Sequence, residues 1–384
     1  MASWETLVVG RPNVGERERL MRRLDGVLDR LWLTNNGPLV REFEERIARV
    51  AGTRHAVATC NATTGIQIAA RAAGIRPGDE VIVPSFTWVA TAHALEWIGI
   101  VPVFCDVDEA TANADPEHVA RLIGPRTRGI LAVHVFGRPC EVDELTRLAD
   151  EHGLVLLFDA AHALGCTYRG KPVGGFGTAE IFSFHATKFV NSVEGGVIVT
   201  DDDAYAARVR ALRNQGIDPA GRIAGPGTVA RMNEFCAAMG LTSLDAIDTI
   251  VTANRRNHAV YEEHLAGVPG VTVRGQLPGE RANHQYLVIE VEQARAGISR
   301  ETVLEDLLRY DVHARRYFSP ICHQVEPYRS APERHVPLPL PRAEALASRV
   351  LSLPTGPTVE PDDVAAICRV IRDSVSRAGR RLVA

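Results

Sequence analysis

Lysine is nearly missing from this chain: of 43 lysine and arginine side chains, only Lys171 and Lys188 are lysines. A guanidinium stays protonated in proteins, whereas an amine can lose its proton and form a Schiff base, so each retained lysine is informative. Paired cysteine motifs are missing too. The seven cysteines, Cys60, Cys105, Cys140, Cys166, Cys236, Cys322 and Cys368, are odd in number and never spaced as CxxC. That argues against a disulfide framework or a zinc ribbon, and thiols in or beside apolar runs read as reduced groups of a cytoplasmic protein. No apolar run approaches the ~18 residues of a membrane span. The start, Met1 to Gly10, lacks the basic beginning and apolar stretch of a secretion signal. A net charge of -4 gives no reason to expect nucleic acid or an anionic membrane as a partner. Neither a P-loop nor a dinucleotide fingerprint is present, and there is no internal repeat.

What is present is a repeating alternation. At 384 residues, two packed units are the expectation. Helical spacing of apolar residues covers 16–30 and 38–51, with the turn Thr34-Asn-Asn-Gly-Pro38 between them. Strand-like runs follow at 56–60, 80–84, 101–105, 130–136 and 154–158, separated by amphipathic stretches at 63–73, 87–98, 115–123 and 141–152. Short, nearly continuous apolar runs between helices are what a parallel sheet covered on both faces looks like. Two further runs, 179–184 and 197–200, are joined by the Lys188 loop without room for a crossover helix. The reading is therefore an α/β fold with a mixed, mostly parallel sheet of about seven strands. Beyond a helix at 203–214, the loop from Gly216 to Gly227, with Pro219, is long enough to be a functional excursion. Helical residues 232–265 lead to strands at 271–274 and 286–291 and helices at 299–309 and 361–376. The expected division is a large domain over 1–249 and a smaller α+β domain over 250–384.

Candidate chemistry gathers at predicted strand ends. Asp159 directly follows the apolar Leu154–Phe158, at the carboxyl end of a strand, where open α/β sheets bind ligands; taken alone, it is as readily a cap for the next turn. His162 extends the pattern to Asp-Ala-Ala-His. Cys60-Asn-Ala-Thr-Thr-Gly65 opens a helix with small residues, so its backbone N–H groups and hydroxyls suit an anion, or merely cap the helix. Pro84-Ser-Phe-Thr-Trp88 puts an aromatic at the same sheet end, a position equally suited to core packing. Lys171 sits in a Gly/Pro turn, where a solvated charge is ordinary. Lys188 lies between an apolar run and a strand, with little other charge nearby. A carboxylate, an anion cradle, a flat aromatic and an amine are together what a pyridine aldehyde phosphate requires.

The order of these segments resembles the DegT/DnrJ/EryC1/StrS family of sugar aminotransferases, fold type I enzymes that use pyridoxal phosphate (PLP). The similarity runs from Thr34–Phe43 through Gly78–Pro84, Phe158–Ala163, Phe182–Lys188 and Glu194–Gly196 to Ala314–Pro320. By that resemblance Lys188 would form the Schiff base with PLP and later move a proton, and Asp159 would pair with the pyridine nitrogen. Trp88 would stack on the ring, His162 would bond to the ring hydroxyl, and Ser183 with the backbone of Ala62 and Thr63 would hold the phosphate. Arg231, Arg316, Tyr317 and His323 are the candidates for substrate contacts. The resemblance further implies L-glutamate as amino donor, a nucleotide-linked keto-deoxysugar as acceptor, and a homodimer with shared active sites. A cyclitol acceptor or a catalytically silent relative are the alternatives; a dehydratase relative would replace the lysine. One departure stands out. Where the family has Gly-Tyr-Asn or Gly-Thr-Asn before Arg/Lys-Met, this chain reads Gly227-Thr-Val-Ala-Arg-Met232. Val229 offers no hydrogen bond to the neighbouring subunit's phosphate, a loss of about 1.5–3 kcal/mol.

Overall fold

A computed structural model describes residues 6–218 and 220–383, with no account of side chains beyond 379. Pro219, in the expected loop, lies outside the described residues, as do Met1–Glu5 of the chain's start. Two helices come first, α1 (Arg17–Arg30) and α2 (Pro38–Ala51). The alternation then unfolds as β1 (His55–Thr59), α3 (Ala62–Ala72), β2 (Glu80–Pro84), α4 (Ala90–Trp97) and β3 (Val101–Cys105). It continues with α5 (Pro116–Leu122), β4 (Thr127–Val133), α6 (Val142–His152) and β5 (Val155–Asp159). Strands β6 (Ala179–Ser183) and β7 (Gly196–Thr200) and helix α7 (Asp203–Arg213) complete this unit.

The seven strands form one sheet in the order β1-β7-β6-β5-β4-β2-β3. All are parallel except β7, which runs antiparallel to both β1 and β6. The short loop carrying Lys188 explains the reversal, because it is too short to cross back over the sheet. Side chains alternate between faces along each strand. Val57, Leu157, Ile181 and Ile198 pack with α3, α4 and α7 on one face. Ala56, Ala58, Phe182 and Val197 meet α2 and α8 (Glu234–Asp245) on the other, while Ile82, Ile130, Leu156 and Phe158 meet α5 and α6. Both faces are buried, which is why the strands read as continuous apolar runs rather than alternating ones.

The expected strand over 130–136 ends earlier, at Val133. The chain turns there, with Phe136 at φ 56 and Gly137 at φ 81, and a Cβ on Gly137 would lie 2.9 Å from the His162 carbonyl oxygen. The single helical stretch expected over 232–265 is two helices, α8 and α9 (Ile247–Leu265), bent by 57° at Ala246. Helix α8 packs on α1 and α2, whereas α9 packs on the C-terminal helix α11 (Pro361–Val383). The C-terminal part has a three-stranded antiparallel sheet, β8 (Val271–Val273), β9 (Leu287–Val291) and β10 (Val350–Leu353), against α9, α10 (Arg300–Leu308) and α11. Strand β10 was not expected from the sequence. Leu7–Val8 pairs in parallel with Val312–His313, and Leu7 joins the C-terminal core, so the chain's beginning crosses the boundary expected at 249/250. Among the described residues no single helix is long and apolar enough to cross a membrane.

Candidate active site

The carboxyl ends of the parallel strands converge on a cavity of about 320 Å³. Asn61, Ala62 and Thr63 follow β1, Thr87 and Trp88 follow β2, Val133 ends β4, Asp159 ends β5 and Ser183 ends β6. Glu194 and Gly195 precede β7, which enters the sheet from the opposite direction. Lys188, Tyr286, Arg315, Tyr317 and Phe318 close the remaining sides. Six backbone ends meet here: β4 and β5 finish level, with Val133 paired to Asp159, and β6 runs two residues past the Ile181 partner of Asp159 to Ser183.

Asp159 is buried. Its Oδ2 accepts from Thr91 Oγ1 at 2.7 Å and its Oδ1 from the Ala161 N–H at 3.1 Å. Thr91 Oγ1 lies in turn 3.2 Å from Thr87 Oγ1. Burial pushes the Asp159 carboxyl above its ordinary range, against these hydrogen bonds and the nearby Lys188 charge. Lys188 is half-buried, with its amine inside the cavity, and Nζ donates to Tyr286 Oη at 3.1 Å. Removal of the amine from water lowers its pKa from 10.5 to about 8, with Asp159 and Tyr317 pulling the other way. His162 is buried beside Phe136 and Phe318, its ring nearly parallel to both. Its Nδ1 accepts the Phe136 N–H at 3.2 Å, which assigns the proton of the neutral ring to Nε2. Burial first, and then the Lys188 charge, hold His162 well below the ordinary histidine range.

The opening turn of α3 forms the other end of the cavity. Asn61 Oδ1 caps the helix by accepting the Thr64 N–H at 2.8 Å, which leaves the N–H groups of Ala62 and Thr63 at the open first turn. Gly196 runs so close to this turn that an added Cβ would stand 2.6 Å from Ala62 N, so a glycine at 196 is needed to bring β7 beside the helix start. Trp88 is 57% exposed at the rim and lies edge-on to Tyr317, with ring centres 6.5 Å apart.

Lys188, Asp159, His162, Ala62, Thr63, Trp88, Ser183 and Tyr317 are thus gathered around one cavity. The other candidates are not. Arg231 points to Asn214, donating to its Oδ1 at 2.5 Å, although the Arg231 backbone bridges to Thr59 at the end of β1. Arg316 faces outward to Glu301 at 3.4 Å and lines an adjoining cavity, while its neighbour Arg315 lines both. His323 is held between Ser85 Oγ at 2.6 Å and Glu344 Oε1 at 3.1 Å, away from the Lys188 cavity. Val229 is 58% exposed and its backbone bridges to Asn214. Sequence reasoning missed Thr91, Tyr286 and the choice of Arg315 over Arg316. Thr91 lies in the first turn of α4, four residues beyond Thr87, a spacing that was legible; Tyr286 carried no local signal.

Over residues 15–372 the chain matches the profile of the DegT/DnrJ/EryC1/StrS aminotransferase family. It belongs to that family. Its relatives include GDP-perosamine synthase of Caulobacter vibrioides, 37% identical over 87% of this chain and 91% of that protein. The spore coat polysaccharide biosynthesis protein SpsC of Bacillus subtilis is 33% identical over 96% of each chain. Among solved structures, DesI, crystallised in the presence of its TDP-sugar product, superposes with a TM-score of 0.93 at 54% identity, covering 100% of this chain and 96% of that one. The chain is a PLP-dependent aminotransferase of this family. Its cavity fits that cofactor: an amine and a buried carboxylate line it together, and a helix opens toward it with free N–H groups where a phosphate binds favourably.

Proposed function

We propose that this aminotransferase moves the amino group of L-glutamate to the keto group of a nucleotide-linked deoxysugar, a dTDP-4-keto-6-deoxyhexose. The observation that carries amino transfer is the enclosure of Lys188, Asp159 and His162 in one cavity with a lysine pKa of about 8. The dTDP-linked acceptor is supported by the 54% identity to DesI, which was crystallised in the presence of its TDP-sugar product. PLP, when bound, supplies a carbonyl that takes up the amino group and an electron-withdrawing ring that eases loss of a proton from the neighbouring carbon.

The chain's own groups divide the remaining work. Lys188 would hold PLP when the cofactor is bound. At a pKa of about 8 a useful share of its amine is neutral near physiological pH, so Nζ takes and returns a proton without a large energetic penalty. Asp159, steadied by Thr91 and Ala161, offers a carboxylate to a protonated ring nitrogen. With Nδ1 taken by the Phe136 N–H, His162 has its Nε2–H available and would offer it to the ring hydroxyl. Ala62, Thr63 and Ser183 would hold the phosphate, and Trp88 would cover the ring. Tyr317 and Arg315 face the substrate side, and Arg315 joins this cavity to the adjoining one, where a charged diphosphate has room.

Two copies complete the enzyme in this reading. Leu28, Leu31, Trp32 and Leu33 at the end of α1 are exposed, as are Ile223, Val229 and Phe235, and the Glu234 N–H bonds the Leu33 carbonyl at 3.0 Å. An apolar band of this kind suits a self-complementary interface. The test measures 2-oxoglutarate release from L-glutamate with dTDP-linked and GDP-linked 4-keto-6-deoxyhexoses. Release with the dTDP-sugar is expected; release with the GDP-sugar alone would reassign the nucleotide, and none with either would sink the reading. Light scattering at micromolar concentration should give a dimer mass.

A further inference from the structure

The segment from Glu280 to Tyr286 belongs to none of the sequence motifs, yet it is fastened to the loops that carry the site. Thr167 donates its N–H to the Arg281 carbonyl at 3.0 Å and receives the Arg281 N–H on Oγ1 at 2.8 Å. Asn283 Nδ2 donates to the carbonyls of His162 at 2.8 Å and Leu164 at 3.1 Å. Gln285 Oε1 accepts the Phe189 N–H at 3.0 Å, one residue beyond Lys188. The last tie is the bond from Lys188 Nζ to Tyr286 Oη at 3.1 Å.

Tyr286 is 9% exposed and immediately precedes β9, the central strand of the small sheet, which is paired on both sides. Its ring is boxed by His162, Phe136 and Tyr317, at centre distances of 4.6, 5.8 and 5.8 Å. The phenol oxygen therefore has a fixed place. Among the described residues it is the hydrogen-bond partner that the structure provides for the Lys188 amine.

We propose that Tyr286 is the positioning residue of Lys188: its phenol receives the N–H of the free amine and so fixes where in the cavity that amine takes and returns its proton. The proposal rests on the amino-transfer reading above. A phenol suits the task because its oxygen accepts from an ammonium and its O–H donates to a neutral amine, so one partner serves both protonation states. Phenylalanine would fill the same space and serve neither. The groups facing the amine are Asp159 at the end of β5, His162 on the following loop, and Tyr317 with Tyr286 from the C-terminal part. Asp159 and Tyr317 favour the charged amine and burial opposes them, while Tyr286 is the group hydrogen-bonded to it.

The scarcity of lysine makes a direct test available. Protein loaded with pyridoxamine phosphate leaves the Lys188 amine free, and brief acetylation across a pH series, read by mass spectrometry, reports Lys188 with exposed Lys171 as internal reference. In the natural sequence the Lys188 midpoint is expected below the ordinary lysine range, because the amine is buried. In Tyr286→Phe the ammonium loses a charge-assisted bond, stronger than the one the neutral amine loses, so the midpoint should fall by about one pH unit while Lys171 is unchanged. The kcat for glutamate should drop about tenfold, with KM within about twofold. An unmoved midpoint, or a moved midpoint with unchanged kcat, overturns the proposal. Should Tyr286→Phe fail to fold, protein made with 3-fluorotyrosine asks the same question, since the fluorinated phenol is a weaker acceptor; a lower Lys188 midpoint supports the proposal and an unchanged one overturns it. The labelling needs no turnover, so it reads the Tyr286 contact even in a protein that releases no 2-oxoglutarate, the result that would sink the amino-transfer reading itself.

Discussion

The two lysines occupy contrasting regions. Lys171 stands in a two-stranded hairpin, Thr167–Tyr168 with Lys171–Pro172, turned through Arg169 at φ 48 and Gly170 at φ 75, and its side chain is exposed. Lys188 stands where the strand ends converge, its amine enclosed by Asp159, Tyr286 and Tyr317. The side chains are identical, so the difference lies entirely in what surrounds them. One side chain reaches into solvent, while enclosure makes the other an amine that can part with its proton near neutral pH.

The sharpest way to break that contrast is to remove each amine in turn. Lys188→Ala should lower 2-oxoglutarate release by about 10³-fold or more, whereas Lys171→Ala should leave it within about twofold. Asp159→Asn, which removes the buried carboxylate but keeps the shape, should cost about 10²-fold in kcat/KM with the melting temperature little changed. The third test turns from activity to stability. The folded-state pKa of Lys188, about 8 against 10.5, means that the unfolded chain binds the extra proton between those values. The penalty is therefore fully present below pH 8, shrinks as pH rises, and is gone above 10.5. At about 1.4 kcal/mol per pH unit it amounts to at most about 3.5 kcal/mol, less to the extent that water enters the cavity. Lys188→Met should accordingly stabilise the cofactor-free protein in urea titrations at pH 7, and the gain should vanish near pH 10.5. Smallest in effect, Thr91→Val removes the hydroxyl that donates to Asp159; the carboxyl pKa should rise further and kcat fall about three- to tenfold, most visibly at the acid end of the pH profile.

Much of this site was legible in residue order because the sheet's rules are local. An apolar run followed at once by Asp159 places a carboxylate at a strand end, and Asn61 after β1 both starts and caps α3. The Lys188 loop, too short for a crossover, reverses β7, and the reversal brings Glu194 and Gly195 to the same edge. Partnerships across the chain were not legible. Thr91 reaches Asp159 across 68 residues, and Tyr286 reaches Lys188 across 98. The adjacent Arg315 and Arg316 look alike in sequence. The backbone pairing of Arg315 with Ser352 accompanies their separation, one toward the cavity and the other toward Glu301. Strand β10 likewise escaped because it follows the Pro341–Arg349 helix without any turn residue between them.

Residue order by itself determined which chemical groups are available and which end of the sheet they occupy, since hydrophobic periodicity and strand termination act over a few residues. Tertiary structure alone decided which of those groups meet. Burial is a property of everything packed around a side chain, and it is burial that lowers the Lys188 pKa, keeps His162 neutral and raises Asp159. It also decided that the chain's beginning, Leu7–Val8, pairs with Val312–His313, because a strand edge can be satisfied by any segment the fold brings alongside, however distant in sequence.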